Sequence, residues 1–231
     1  IGIDAQASLL SELTERDEAR SRAAREEGRR FLAALRERAT AAGAPQVDTR
    51  QRHGELVETL VEQERGVQLI VLGRRGRNAE MTQRDLGRNV ERVVRALKKP
   101  ILAVTDDFVE PKRAMIAFDG GSMTRRGVEL VAKSRLFRDL PVHVVTSGRE
   151  RADSRRQLEW AERTLRDAGY EVPTALIPGD AESVIGRYVQ EQEIDLLIMG
   201  AYSHSPLRSL FLGSKTSDLL RSARIPALLL R

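Results

Sequence analysis

Two segments of this chain, about 126 residues apart, carry one residue pattern, and that repeat limits the possible folds more than any other feature. The first runs Gly87-Arg-Asn-Val-Glu-Arg-Val-Val-Arg95-Ala-Leu-Lys-Lys-Pro100-Ile-Leu-Ala-Val104, and the second Gly213-Ser-Lys-Thr-Ser-Asp-Leu-Leu-Arg221-Ser-Ala-Arg-Ile-Pro226-Ala-Leu-Leu-Leu230. Each places an apolar pair and an arginine at the same offsets from its glycine, then a proline opening a short apolar run. Upstream, Gly54, a helix-like stretch and Leu69-Ile-Val-Leu72 ending in Gly73 parallel Gly179, a helix and Leu196-Leu-Ile-Met199 ending in Gly200. Ala42-Gly43 and Ala168-Gly169 each close a long charged helix ahead of an expected short strand. Four matches in the same order argue duplication.

Periodicity in the second copy alternates strand and helix. Strands are expected at Ala114–Phe118, Pro141–Thr146, Val172–Ile177, Ile194–Met199 and Ala227–Leu230. The intervening helices are expected at Thr124–Phe137, Ala152–Ala168, Ala181–Glu193 and Ser214–Ser222. That order calls for an α/β fold, a parallel sheet with helices on both faces.

The first copy is shorter. With its long helix of roughly Leu13 to Ala42 set opposite Ala152–Ala168, no residues remain for a first strand, first helix and second strand. A doubly wound sheet without its first strand lacks its centre and leaves apolar strand edges uncovered. Ile1 is not an initiator methionine, so the expectation is that the missing strands belong to a longer natural protein. The boundaries expected are 1–107 for this N-terminally incomplete domain and 112–231 for the complete one.

Composition narrows the chemistry. No run of about 18 apolar residues exists to cross a bilayer, and no charged-then-apolar leader opens the sequence, so a cytoplasmic protein is expected. Zero cysteines remove thiolate catalysis and cysteine zinc sites, and His53, His143 and His204 are scattered, so no metal site is expected. The net charge of +5 is spread through helices that mix arginine with glutamate, the pattern of a solvated face. With aromatics at 4%, the footprint of a nucleic-acid reader is missing.

In open α/β sheets, ligands bind beyond the carboxyl ends of strands, where the strand order reverses. Two features fall there. Phe118-Asp119-Gly120-Gly121-Ser122 offers an acceptor carboxylate on a turn. Gly200-Ala-Tyr-Ser203, nine further residues and Gly213-Ser214 offer a glycine-bounded loop running into a helix start, where backbone amides and a hydroxyl can donate to phosphate. Taken singly, Gly200 needs only a turn and Ser214 only a helix cap. Their joint placement at the two ends of one loop favours a binding role.

Gly200, position 203, Gly213 and Ser214 have the spacing of the nucleotide-binding signature of universal stress proteins, which the second copy resembles. Phe118-Asp119-Gly120, Pro178-Gly179-Asp180, Ile194-Asp195-Leu-Leu-Ile-Met-Gly200 and Ile225-Pro226 extend the resemblance over 112–231. It implies two Rossmann-like (adenine nucleotide alpha hydrolase-like) parallel-sheet domains in tandem, the first truncated. It further implies ATP or another adenine nucleotide as ligand, with Asp119 on the adenosine side and Gly200, Gly213 and Ser214, followed by Lys215, on the phosphates. Ser203 departs from the pattern by replacing its second glycine. If that position needs φ > 0, serine costs about 1 kcal/mol and its Cβ crowds the phosphate.

The first copy keeps Gly73 and Gly76, but ten residues precede Gly87 and Arg88 replaces the hydroxyl residue, so no nucleotide site is expected there. Arg74, Arg75, Arg77 and Arg88 read as a solvated arginine-rich loop before an anion site. His143 is expected to be a packed, hydrogen-bonded core residue, His53 exposed, and Trp160 core in preference to a ligand platform. No Ser-His-Asp order or carboxylate pair is evident, so at most slow ATP hydrolysis is expected. The resemblance also implies antiparallel pairing of the terminal strands, 100–105 with 226–230, as a pseudo-dimer within the chain, and leaves a homodimer open. Three readings remain: a regulatory stress-response protein that binds adenine nucleotide, an interaction or assembly module of the same fold that binds none, and a nucleotidyl-transfer or hydrolase enzyme on the same scaffold.

Overall fold

The computed structural model describes residues 3–52, 54–73, 88–105, 109–200 and 225–230. The chain forms two compact units, divided between Gly54 and Glu55.

The first unit is built on helix α1, Ile3–Ala41. Its charges pair along the helix, Glu18 with Arg22 at 3.4 Å and Glu26 with both Arg29 and Arg30, and most of the described surface is solvated. Such exposed pairs stabilise by only a few tenths of a kcal/mol each, roughly 0.3–0.5. The helix stops at Gly43, whose φ of 90° lets its amide bond Thr40 and lets the Ala44 amide reach back to Ala39, both at 3.0 Å. This is the six-to-one closure of a Schellman cap. The strand expected after Gly43 does not form, and residues 46–52 run without a ladder. A strand requires a hydrogen-bonded neighbour, and no other strand lies in this unit among the described residues.

In the second unit, Leu56–Gln63 forms α2, Ile70–Gly73 β1, Arg88–Ala96 α3, Ile101–Val104 β2, Ala114–Ala117 β3, Ser122–Lys133 α4 and Val142–Ser147 β4. Ala152–Asp167 forms α5, Thr174–Ile177 β5, Ala181–Glu191 α6, Leu196–Gly200 β6 and Ala227–Leu230 β7. The helix expected at Ser214–Ser222 lies outside the described residues. Helix α4 starts and stops earlier than periodicity indicated, because Ser134 turns to extended backbone. Phe137 is nonetheless buried, carried inward by the turn that follows.

The seven strands make one sheet in the order β1-β2-β7-β6-β3-β4-β5. All neighbours are parallel except β2 and β7, which pair antiparallel with Ile101 opposite Leu229 and Ala103 opposite Ala227. The inner strands β7, β6 and β3 read as unbroken apolar runs because both of their faces are covered, whereas edge strand β1 leaves Val71 exposed. On one face Met115, Ala117, Leu197, Met199 and Leu229 pack beneath Val93 and Val94 of α3, Leu97 just after it, and Val184, Ile185 and Val189 of α6. On the other, Ala114, Ile116, Ile198, Leu228 and Leu230 pack beneath Val128 and Val131 of α4 and Leu158, Ala161 and Leu165 of α5. Burying each large side chain contributes about 1.5–3 kcal/mol.

The duplication is visible in the coordinates. Helix α5 ends as α1 does, with Gly169 at φ 92° and the Tyr170 amide reaching back to Leu165 at 3.1 Å. Gly54 and Gly179 hold φ of 120° and 138° just ahead of α2 and α6. Gly73 stands opposite Val104 as Gly200 stands opposite Leu230, so both copies keep one register despite connections that differ by a residue.

Asp195 ties the sheet centre together. Its carboxylate accepts the amides of Lys112 and Arg113, each at 2.8 Å, and fixes the chain as it enters β3 beside β6. His143 is buried on β4, its Nδ1 2.9 Å from the Tyr188 hydroxyl of α6, with the rings edge to face. Burial, with the nearby Arg113 charge, lowers the histidine pKa from 6.5 against a smaller opposing pull from Glu171.

Candidate functional site

Strands β3, β4 and β5 follow one another outward in the sheet, and the chain then returns to place β6 on the other side of β3. The strand order therefore reverses between β3 and β6, the position where open α/β sheets leave a crevice. Ala117 pairs with Met199 across that junction, which brings the turn at Asp119 beside the end of β6 at Gly200.

The turn is over-determined. Asp119 Oδ1 accepts the Gly121 amide at 2.9 Å and the Thr124 hydroxyl at 2.7 Å. Thr124 is almost fully buried in the first turn of α4, so it holds the otherwise exposed carboxylate from below. Gly120 has φ 75°, a left-handed conformation that costs an L-residue roughly 1–2 kcal/mol. A Cβ at Gly120 would overlap the side-chain carbonyl of Gln157 from α5. The Gly120 carbonyl accepts from Arg125 Nε at 3.0 Å, and the Arg125 guanidinium carbon lies 4.7 Å from the centroid of the Trp160 ring. Trp160 in turn stacks on Phe118, the last apolar residue before the turn, at 6.4 Å and 23°.

The neighbouring strand ends are also shaped. The chain leaves β4 through Gly148 at φ 117°, whose amide bonds the Ile177 carbonyl at 3.0 Å. It leaves β5 through Pro178-Gly179-Asp180, where Asp180 caps α6 by accepting the Ser183 amide at 2.9 Å.

Of the residues expected to touch a ligand, Asp119 and Gly200 are thus neighbours at the switch point. Ser203, Gly213, Ser214 and Lys215 lie outside the described residues, as does His204. In the first copy Gly73 ends β1 and Arg88 opens α3, while Arg74, Arg75, Gly76, Arg77, Gly87 and His53 lie outside. Sequence reasoning missed Thr124, Arg125 and Gln157. For Thr124 the signal was available, since a hydroxyl residue five positions after a strand-end aspartate falls on the first helical turn facing back to it.

The family model "Universal stress protein family" matches the chain twice, over residues 3–105 and 139–231. The chain belongs to the universal stress protein family. Universal stress protein Slr1230 from Synechocystis sp. is 33% identical over 233 residues, spanning 100% of this chain and 81% of that relative. A universal stress protein from Archaeoglobus fulgidus DSM 4304 shares the fold with a TM-score of 0.69 at 20% identity, covering 100% of this chain and 80% of that one. The universal stress protein from Archaeoglobus fulgidus solved in complex with dAMP matches with a TM-score of 0.39 and 19% identity, over 54% of this chain and 100% of that one. Within this universal stress protein, Asp119 falls between the two segments matched by the family model, so its candidacy rests on its place in the sheet.

Proposed function

We propose that this universal stress protein binds ATP or a related adenine nucleotide at the carboxyl ends of β3 and β6, in a complete second domain spanning 112–231, and acts as a nucleotide-responsive regulator. The observation that carries the reading is the juxtaposition of Asp119 with Gly200 at the reversal of strand order. Oδ1 of Asp119 is held by Gly121 and Thr124, which orients Oδ2 as an acceptor for a sugar hydroxyl or ring amine. From Gly200 departs the segment in which Gly213, Ser214 and Lys215 have the residue types that cradle phosphate. In this proposal Ser203 sets the affinity, through the strain and crowding that its Cβ adds where the family pattern has glycine.

Titration calorimetry with ATP and with AMP, together with mass spectrometry of any nucleotide released from freshly purified protein, tests the reading. Saturable binding that weakens in Asp119→Ala and tightens in Ser203→Gly is expected. No detectable binding at about millimolar nucleotide, a range in which ligands contribute only ~4 kcal/mol, would leave the assembly-module reading standing.

A further inference from the structure

Arg125 does two things that a solvated arginine on a helix does not. Its Nε donates to the carbonyl of Gly120, and its guanidinium lies over Trp160, which is stacked on Phe118. Phe118 and Gly120 flank Asp119 on either side. One side chain therefore ties the turn's left-handed glycine backbone to the aromatic pair, while Thr124, its neighbour on the same helical turn, holds the carboxylate itself.

We propose that Arg125 is a positioning residue that sets the nucleoside selectivity of this site, so that a nucleoside polyphosphate is bound in preference to a bare polyphosphate. The inference rests on the nucleotide reading above. Its physical basis is that Asp119 orients a ligand only while the Phe118–Gly121 turn stays in one conformation. Gly120 at φ 75° sits in a region that glycine enters and leaves freely, so an external tether is needed. The bond from a charged donor to the Gly120 carbonyl is such a tether, and stacking on Trp160 restricts the arginine to the rotamer that makes it. A bare polyphosphate lacks the sugar and base that Asp119 would receive, so it gains nothing from an ordered turn. The Trp160 ring, packed against Phe118 and overlaid by Arg125, stabilises the turn and offers no free stacking platform on the arginine side.

The test compares wild type, Arg125→Met and Arg125→Lys by two readouts. In the absence of ligand, amide hydrogen exchange at Gly121, whose N–H is bonded to Asp119, reports the turn. With ligand, calorimetric titrations of ATP and of inorganic tripolyphosphate report selectivity. Arg125→Met is expected to accelerate Gly121 exchange and to weaken ATP about five- to tenfold, a part of the worth of one charge-assisted hydrogen bond because Arg125 acts on the ligand only through the turn, with tripolyphosphate affinity unchanged within about twofold. Arg125→Lys, which keeps a donor and the charge without the planar stack, is expected to fall between.

Equal loss for both ligands would show that Arg125 attracts phosphate as a simple charge, and would overturn the inference. Unchanged Gly121 exchange in Arg125→Met overturns the tether whatever the ligands do. If wild type binds no ATP while Arg125→Met still accelerates exchange, the nucleotide reading fails, the selectivity claim fails with it, and the tether stands. The thermal midpoints of the two variants, followed by Trp160 emission, separate a loosened turn from a loss of folding.

Discussion

Replacing Gly120 by alanine isolates how firmly the turn beside Asp119 is built. Two costs are expected from the structure. The backbone at φ 75° places an L-residue in the left-handed region, about 1 kcal/mol or slightly more. The new Cβ would also coincide with the side-chain carbonyl of Gln157, which is the far end of a flexible chain and moves aside by leaving its rotamer, roughly 1 kcal/mol more. Alanine recovers about 0.5 kcal/mol by restricting the unfolded chain, so the net loss is about 1.5 kcal/mol. Gln157→Ala removes the overlap, and in that background Gly120→Ala is expected to cost only about 0.5–1 kcal/mol. Urea unfolding followed by Trp160 emission is the suitable assay, because the chain's one tryptophan lies in α5, in the same compact unit as the turn. Its transition is unaffected by any separate unfolding of α1. A loss below about 0.5 kcal/mol, or an equal loss with and without Gln157, would refute the reasoning that overlap and left-handed strain act together here.

Thr124→Val keeps the shape of a buried side chain and removes the hydroxyl that donates to Asp119, so unfolding free energy is expected to fall by about 1 kcal/mol, with Thr124→Ser close to wild type in the same urea titration. Equal midpoints for Thr124→Val and wild type would remove the latch from the account. His143 is expected to make stability pH-dependent. Its folded pKa lies below 6.5, so stability is at its full value above about pH 6.5 and falls as acid protonates the unfolded chain first, down to the lowered folded pKa. Urea midpoints at about pH 7.5 and about pH 5 should therefore differ less in His143→Gln, which can still bond Tyr188 and does not titrate. An undiminished difference in the variant would assign the acid sensitivity elsewhere.

The sheet was legible in the sequence because its strands are continuous apolar runs punctuated by glycine and proline. Leu196-Leu-Ile-Met199 forms a strand buried on both faces, and Leu69-Ile-Val-Leu72 repeats the apolar run in the first copy, where Val71 stays exposed at the sheet edge. The segment after Gly43 reads as a strand by analogy with β5, yet β5 owes its ladder to β4, and among the described residues no equivalent of β4 pairs with residues 44–52. Local pattern cannot supply a missing partner. The end of α4 was misjudged for a related reason. Phe137 is apolar at helical spacing from Leu130, seven residues before it, but it reaches the core from a turn, and spacing alone does not distinguish the two. At the candidate site, Asp119 and Gly200 were readable from type and order. Arg125 and Gln157 were not, because their roles depend on α5 packing over the β3 turn and α4, in contacts between residues 35 and 37 apart.

The two copies separate what the fold requires from what binding requires. Gly73 faces Val104 and Gly200 faces Leu230, so the register at these strand ends survived a one-residue change in the connection between them. Register is set inside the sheet, where a slip by one residue would turn Leu197 and Met199 away from the α3 and α6 face and onto the α4 and α5 face. A connection outside the sheet is under no such constraint, since lengthening a loop by one residue costs only about 0.1 kcal/mol of closure entropy. A phosphate cradle is different, because every amide in it must meet one ligand. The proposed nucleotide site therefore belongs to the copy in which loop length and hydroxyl both match, while β2 of the other copy serves the sheet by pairing against β7.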